Sequence, residues 1–271
     1  MKKLLFILVI LALSASLNAQ KDTTTLSFGK SKVLIISDKT DTSSKTIIVN
    51  DSIDNKQTKH KKKFNGRWGG IEIGLNGYLT NDNSFSLPNQ FDYLELNQVK
   101  SINFNINLFE WNIGLYKNYI GIVSGLGWGF NNYQFDKNIH LNMDTTYLDY
   151  TTDNANKYKK NKLVISNLRV PFMFEFHIPV NDHKDKIYLS AGMIGSLRIG
   201  SHIKQIYFVD GDRQFNKEYH SFYLNPFAYS AQARIGFNKL GFYFEYQFSE
   251  LFKKDKGPSL HPWAAGLSFC F

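Results

Sequence analysis

The sequence predicts an all-β fold: one antiparallel sheet of eight strands, closed into a transmembrane up-and-down β-barrel with a short N-terminal periplasmic extension. Three observations predict it. From residue 68 onward, apolar and polar residues alternate with a period of two. The alternating segments are joined by short and long connections in turn, which is typical of outer-membrane barrels. Aromatic residues gather near the segment ends, as they do at a membrane–water interface.

The alternation is clearest in residues 101–108, where asparagines separate Ile102, Phe104, Ile106 and Leu108. A strand that turns successive side chains to opposite faces gives this pattern when one face is apolar and the other polar. A later segment repeats it, with Val170, Phe172, Phe174, Phe176 and Ile178 on one face and Asn167, Arg169, Glu175 and His177 on the other. Each segment is therefore expected to be a strand.

Eight segments alternate in this way, at about 68–79, 100–116, 119–135, 162–178, 186–203, 222–237, 240–252 and 261–271. The short connections are 117–118, 179–185 and 238–239, and the long ones are 80–99, 136–161, 204–221 and 253–260. An even strand number places both ends of residues 68–271 on the periplasmic side, with the long loops outside the cell.

A soluble barrel of the lipocalin type would show the same alternation with its apolar face turned inward. The faces favour a membrane, because one is rich in Phe, Leu, Ile and Val and the other in Asn, Gln, Arg, Glu, Ser and Gly. We therefore expect the cell outer membrane, with interfacial aromatic side chains at Trp68, Tyr78, Trp111, Tyr119, Trp128 and Trp263. Phe269 and Phe271, which end the last segment, are expected to be the signal read by the outer-membrane assembly machinery.

The N-terminal 67 residues are expected to lie outside the barrel. Residues 1–19 have the pattern of a secretory signal peptide, with Lys2 and Lys3 before an apolar run and small residues before Gln20. Residues 20–67 form a periplasmic extension and basic linker with 11 Lys/Arg against 5 Asp, whereas residues 68–271 carry 19 Lys/Arg against 18 Asp/Glu. The balanced charge of the body argues against nucleic-acid binding. The linker is either a solvated spacer or a site for anionic lipid headgroups or a periplasmic protein partner.

Several short motifs resemble one family. The stretch Asn65-Gly-Arg-Trp-Gly-Gly-Ile-Glu-Ile-Gly-Leu-Asn76 resembles the first strand of Bacteroidetes-type outer-membrane β-barrel proteins, often described as porin-family. Residues 168–176, 189–192 and 261–267 also resemble strands of that family. The resemblance covers roughly residues 65–271. It implies an outer-membrane barrel but no ligand. The family includes PorT-like proteins, which are linked to type IX secretion and gliding.

The inward face of the barrel is expected to hold a polar network. Its members are Glu72, Asn103, Asn105, Asn107, Arg169, Glu175, Arg198, Arg234 and Glu245. An eight-stranded barrel is just wide enough for its own side chains, and unpaired charges inside it are costly, so Arg and Glu are expected to pair. This predicts a structural plug, with a narrow ion path or a gated pore as the alternative.

The sequence predicts no catalytic residue, no metal site and no cofactor. It has one cysteine, Cys270, scattered histidines and none of the short hydrolase or metalloprotease motifs. Because a catalytic site depends on geometry and not on residue order, a lipid A-modifying enzyme stays a remote alternative. Its residues to test are His202, His220 and Ser221.

The first functional hypothesis is a small, non-enzymatic outer-membrane barrel with a structural or surface-interaction role, carried by its long loops. Residues 80–99 are unusually apolar, which suits either a cap on the barrel mouth or a protein-binding patch. Residues 136–161 mix Tyr and Lys, which suits polysaccharide or lipopolysaccharide headgroups. The expected partners of the barrel as a whole are outer-membrane lipid and lipopolysaccharide. The second hypothesis is an accessory component of an export or assembly machine, which docks a partner through residues 20–67.

Overall fold

The computed structural model describes residues 64–143, 145–154, 157–180 and 185–271, together with the strands β1 (Thr23–Phe28), β2 (Ser31–Ile36) and β3 (Lys45–Val49). The chain divides into two compact units, residues 1–60 and 61–271. In the first unit β1, β2 and β3 form an antiparallel sheet in that order. The predicted signal peptide, residues 1–19, lies outside the described residues.

The second unit is built on one large antiparallel sheet, and the all-β prediction is confirmed. Eight of its strands form a ring: β4 (Gly70–Thr80), β5 (Ile102–Tyr116), β6 (Ile120–Gln134), β9 (Lys160–Val180), β10 (Asp185–Val209), β12 (Phe227–Phe237), β13 (Leu240–Gln247) and β14 (Leu260–Cys270). Each pairs with the next along the chain, and β14 pairs with β4 to close the ring. All eight predicted segments are strands.

Alternation fixes what lies inside the ring and what lies outside it. Along β9, Phe172 and Phe174 are exposed on the outer surface, whereas Met173 and Glu175 between them are buried inside. Because successive side chains of a strand point to opposite faces, the ring has an apolar outer surface and a largely polar interior. This is the reverse of a ring that encloses an apolar cavity.

The two ends of the ring differ. At the end that we call the short-turn end, Asn238 and Lys239 alone join β12 to β13, and Asn238 has a φ of 53°, as tight two-residue hairpins require. At the opposite, long-loop end, residues 81–101, 135–159, 210–226 and 248–259 make the connections. The predicted alternation of short and long connections is present.

The long loops contain strands that the sequence analysis did not place. A small hairpin pairs β7 (Ile139–Asn142) with β8 (Asp149–Thr152). Strand β10 continues to Val209, six residues past its expected end, and pairs with β11 (Asp212–Tyr219) through an Asp210–Gly211 turn with φ of 50° and 88°. The loop predicted at 204–221 is therefore mostly a β-hairpin that projects beyond the ring.

An apolar cluster fills the long-loop end of the ring and joins the loops to it. Its buried members are Tyr78, Tyr93, Leu94, Tyr133, Phe135, Ile139, Leu141, Leu148, Leu163, Ile165, Ile203, Phe222, Leu224, Leu251, Phe252 and Leu260. Two short 3₁₀ helices, Asn89–Leu94 and Gln98–Lys100, lie in the loop between β4 and β5. The first contributes Tyr93 and Leu94 to the cluster, so this loop covers the mouth of the ring.

Glycines let the ring interior accept large side chains at two levels. Gly74 lies opposite Gly266, and a Cβ on Gly74 would come within 2.7 Å of the Tyr243 hydroxyl. Near the short-turn end, the ring of Phe64 occupies the space beside Gly121 that a Cβ would need. A larger residue at Gly121 would have to displace the Phe64 ring, whereas one at Gly74 would also clash with the Ala265 backbone carbonyl.

Candidate functional site

A pair of arginines and a pair of glutamates meet inside the ring. Arg169 on β9 places Nη1 3.2 Å from Glu72 Oε2 and bonds Glu245 through Nη2. Arg234 on β12 bonds the other oxygen of Glu72. Glu72 is 1% exposed, and both arginine side chains are almost completely buried. The charges balance, and each carboxylate faces a guanidinium, which offsets the cost of burial.

Amides and hydroxyls satisfy the remaining oxygens of this network. Asn105 Nδ2 donates to Glu72 Oε2 at 2.8 Å, and Ser230 Oγ donates to Glu245 Oε1 at 2.7 Å. Asn103 Oδ1 accepts bonds from Asn105 Nδ2 and the Tyr243 hydroxyl, at 2.8 and 2.7 Å. The asparagines alternate along β5, so that strand supplies amides at successive levels of the interior. The network links five strands, β4, β5, β9, β12 and β13, and leaves little room to change shape.

The segment that precedes β4 enters the ring and packs against this network. The Arg67 carbonyl accepts a bond from Arg234 Nη1 at 2.9 Å, and the backbone N–H groups of Trp68 and Gly69 each donate to Glu110 Oε2 at 2.7 Å. The Trp68 ring lies 4.5 Å from the Arg234 guanidinium carbon, within cation–π distance. Residues 67–69 thus form part of the plug.

A second polar group closes the short-turn end. Glu175 Oε1 lies 2.6 Å from His177 Nε2, and Glu175 Oε2 accepts a bond from the Arg67 backbone N–H at 3.3 Å. The Phe64 ring stacks on the His177 imidazole with 4.8 Å between centroids. Both Glu175 and His177 are buried, so residues 64–67 cover this end of the interior.

The structure places most of the predicted network residues inside the ring, but not in one network. Arg198 instead donates from its guanidinium to the carbonyls of Leu224 and Asn225 in the loop before β12. Glu175 pairs with His177 and touches the Glu72 group only indirectly, through the Arg67 backbone, among the described residues. Asn107 is buried, but neither atom of its side-chain amide has a partner among the described residues. The expected pairing of Arg with Glu is therefore present for two arginines and two glutamates, and Arg198 and Glu175 are not part of it.

Two of the predicted interfacial aromatic residues are buried inside the ring and do not face outward. Trp68 is buried among the interior arginines, and Tyr78 is buried in the apolar cluster, where its hydroxyl donates to the Leu94 carbonyl. The prediction failed because proximity to a strand end does not tell which face a side chain occupies. Trp111 and Trp128 are exposed on the outer surface.

The remaining predicted aromatic residues lie at other edges of the ring. Tyr119 is half-buried in the turn before β6, and Trp263 on β14 makes an edge-to-face contact with Phe85. Phe269 and Phe271 at the end of β14 are exposed. Their role as an assembly signal stays a prediction.

The interior leaves little open space. A cavity of about 30 Å³ lies between Asn103, Asn167, Arg169 and Glu245, which is room for one or two water molecules. A larger cavity of about 260 Å³ lies in the loops at the long-loop end, lined by Tyr78, Phe85, Leu87, Glu95, Gln98 and Asp136 among others. Among the described residues, side chains thus fill most of the interior, as expected for a ring of eight strands.

The loop between β4 and β5 is held by aromatic stacking and by a surface ion pair. Tyr93 stacks on Tyr150 of β8 with 4.1 Å between ring centroids. Burial, followed by the nearby Asp149 carboxylate and Tyr150, raises the pKa of Tyr93 to about 12, so the phenol stays protonated. Lys137 Nζ lies 2.5 Å from Asp92 Oδ2 at the surface. These contacts favour the cap rather than the free patch for residues 80–99.

Among the described residues, no hydrogen bond joins the Ser221 hydroxyl to His202 or His220, the residues named for the enzyme alternative. The Ser201 hydroxyl donates to the His220 backbone carbonyl at 2.5 Å, and the His220 ring contacts Phe222. His202 points to the outer surface beside Tyr219. Among the residues that the structure describes, no three His, Cys, Asp or Glu side chains form a group that could hold a metal ion.

No protein-family model, no curated protein and no solved structure matches this chain. No helix in the described part of the chain is long and apolar enough to cross a membrane.

Proposed function

We propose that this chain is an integral outer-membrane β-barrel protein without an open channel, with a structural or surface-interaction role that its long loops carry out without catalysis. The observation that carries the proposal is the inverted surface of the ring: Phe174 is 44% exposed on the outside, whereas Glu175 beside it is 1% exposed inside. Water would favour the opposite arrangement, and lipid favours this one.

The outward apolar surface is continuous around the ring. Its exposed members include Ile71, Ile73, Ile113, Leu115, Val170, Phe172, Phe174, Phe176, Leu189, Met193, Tyr229, Ile235, Phe242, Phe244 and Phe269. They come from seven neighbouring strands, and Trp128 adds an exposed aromatic residue from the eighth. Soluble proteins rarely expose a contiguous apolar patch of more than a few hundred Å². A lipid environment accounts for a surface of this extent.

The height of this surface suits a bilayer. On β9 the outward apolar residues run from Leu168 to Ile178, a span of ten residue steps. At about 3.3 Å per residue and a tilt of about 40°, this span is roughly 25 Å along the barrel axis, the height of an outer-membrane apolar band. We name it the apolar band. The short-turn end is then periplasmic and the long-loop end faces outside.

The closed interior supports a role for the loops rather than for a channel. The ion-paired network, the inserted segment 64–69 and the apolar cluster fill the ring from one end to the other. Conduction would require the buried Glu72–Arg234 pair to open, and breaking such a pair costs several kcal/mol. A family resemblance to Bacteroidetes-type outer-membrane barrels forms part of this proposal.

The first experiment compares unboiled and boiled outer-membrane samples on a denaturing gel. A membrane-embedded barrel resists detergent until it is boiled and then migrates more slowly, so we expect a heat-dependent shift in the outer-membrane fraction. A protein found in the soluble periplasm with no shift would contradict the proposal. An altered lipid A mass spectrum on expression of the chain, lost on Ser221→Ala, would contradict the non-enzymatic part.

A second candidate function is an accessory role in an export or assembly machine. Strands β1, β2 and β3 form a sheet in a unit separate from the ring, and this favours a partner-binding role for residues 20–60. Deletion of residues 20–60 distinguishes the two functions. Loss of a co-purifying periplasmic protein, with the heat-dependent gel shift retained, would favour the export role.

A further inference from the structure

Three lysines from distant parts of the sequence stand in one row across the outer surface of β9 and the projecting hairpin of β10 and β11. In the strand register Lys204 of β10 lies directly opposite Lys162 of β9 on one side and Lys217 of β11 on the other. Directly opposed residues on neighbouring strands have Cβ atoms about 5 Å apart and share a face of the sheet. The row therefore spans three strands.

This outward face, which we name the basic face, carries cations and aromatic rings but no acidic residue. Its positions on the three strands are Lys160, Lys162, Val164, His202, Lys204, Ile206, Phe208, Arg213, Phe215, Lys217 and Tyr219. The acidic residue of β11, Glu218, belongs to the opposite face, where Asn216 donates to it at 2.7 Å. Charge is thus segregated between the two faces of the hairpin.

The row is electrostatically unfavourable as it stands. Like charges directly opposite one another destabilise a sheet, and none of the three lysines forms an ion pair within the described residues. Among the described residues, Lys162 Nζ donates only to Asn132 Oδ1, at 2.7 Å, and Lys217 Nζ lies 4.6 Å from the Tyr219 ring centroid. Half-burial of Lys162, followed by repulsion from Lys204 and Lys160, lowers its pKa. A bound anion would relieve this repulsion.

The position of the row identifies the kind of anion. Lys162 lies six residues beyond Leu168, the outer limit of the apolar band on β9. At about 3.3 Å per residue and a tilt of about 40°, the row stands roughly 15 Å above the hydrocarbon boundary. A long lysine side chain can reach several ångströms back toward the bilayer. The row therefore lies at the level of a large lipid headgroup.

We propose that the basic face binds phosphate groups on the saccharide headgroup of an outer-leaflet glycolipid, with Lys162, Lys204 and Lys217 as the phosphate ligands. The inference rests on the proposed membrane location. Lysine binds phosphate as a compact charge with several donors. The exposed rings of Phe215 and Tyr219 beside the lysines offer apolar surfaces on which sugar rings can lie.

The test measures binding of the full chain in detergent micelles to three probes. These are lipopolysaccharide, the same lipopolysaccharide after chemical dephosphorylation, and inorganic pyrophosphate. The variant Lys162→Gln/Lys204→Gln/Lys217→Gln removes the row. With about 1 kcal/mol for each lysine near an anionic surface, we expect a loss of affinity for lipopolysaccharide of about 100-fold. Dephosphorylated lipopolysaccharide should bind the unaltered chain as weakly as the variant binds the intact glycolipid.

The matched control removes three exposed lysines from other long loops, in the variant Lys100→Gln/Lys253→Gln/Lys254→Gln. It should retain its affinity for lipopolysaccharide. Equal losses in the two triple variants would overturn the proposal, and so would pyrophosphate that binds as tightly as lipopolysaccharide, since this would assign the face to a soluble anion. The heat-dependent gel shift is measured for the unaltered chain, the row variant and the control variant. If the unaltered chain shows no shift, the membrane location is contradicted. If it shows the shift but the row variant keeps its affinity for lipopolysaccharide, only this site is contradicted.

Discussion

Glu72 is the residue on which the buried network most depends. It bonds Arg234 and Arg169 and accepts from Asn105, and Arg234 has no other carboxylate partner among the described residues. Glu72→Gln keeps the size of the side chain but leaves the Arg234 guanidinium buried without a counter-charge. Removing one partner of a buried ion pair costs about 3–5 kcal/mol, and we expect that loss in the free energy of unfolding.

A double-mutant cycle separates the energy of the Glu72–Arg234 ion pair from the effect of changing each side chain on its own. Arg234→Met removes the other partner, and Glu72→Gln/Arg234→Met removes both charges together. Because a buried pair replaced as a whole is often nearly neutral, the double variant should be less destabilised than the sum of the single variants by about 2 kcal/mol or more. Urea unfolding of the refolded protein in micelles, followed by tryptophan fluorescence, measures all four states.

The control for this cycle is Glu95→Gln, which removes an exposed carboxylate 3.9 Å from Lys137. Surface pairs of this kind contribute little, so unfolding of this variant should match that of the unaltered chain. Single variants of Glu72 and Arg234 that unfold like Glu95→Gln, or whose effects simply add, would refute the assignment of the network as a buried ion-paired plug.

Three further predictions concern the plug, the channel and the loops. Gly121→Ala should lower the free energy of unfolding by about 1–3 kcal/mol, because its Cβ meets the Phe64 ring. Phe64→Leu in the same chain should recover part of that loss, and losses that simply add would argue against the contact. Planar-bilayer recordings of the purified protein should show no discrete channel events, and stable conductance steps would mean that the plug opens. Burial, followed by the charge of Lys217 and its neighbouring lysines, lowers the pKa of His202 to about 4, below the value of about 6.5 for an unfolded chain. The folded state should therefore lose stability as pH falls from about 6.5 to 4, since the unfolded chain takes up the proton first, and His202→Gln should remove this loss; an NMR titration of His202 near 6.5 would contradict it.

The ring itself could be predicted from sequence because a period of two depends only on strand geometry. Segments such as 101–108 alternate without a break, and each became a strand with its apolar residues on one face. The same alternation identified Glu72, Arg169 and Arg234 as inward residues. The period of two does not tell which inward charges meet, because that depends on strand register and tilt. Arg198 sits too near the long-loop end to reach the Glu72 group and bonds loop carbonyls instead.

Two features of the structure that the sequence analysis missed do have signals in the sequence. Trp68 precedes Gly69 and Gly70, and Gly70 has a φ of 150°, so the chain changes direction there and Trp68 lies inside the ring and not on its outer edge. Asp210–Gly211 is a strong signal for a two-residue hairpin, and it predicts the continuation of β10 into β11. The basic face carried no local signal, because Lys162 and Lys204 are 42 residues apart and only the register brings them together.

The most direct test of the inverted ring is a depth profile along the outward face of β9. Spin labels are attached to single cysteines, in a Cys270→Ser chain reconstituted in lipid vesicles, at the outward positions Leu168, Val170, Phe172, Phe174, Phe176 and Ile178. In a ring embedded in lipid, accessibility to oxygen relative to a water-soluble nickel complex rises to a maximum near Phe172 and Phe174 and falls toward both ends. Uniform access of the nickel complex at all six positions would mean that this face meets water, and would contradict the membrane-embedded barrel.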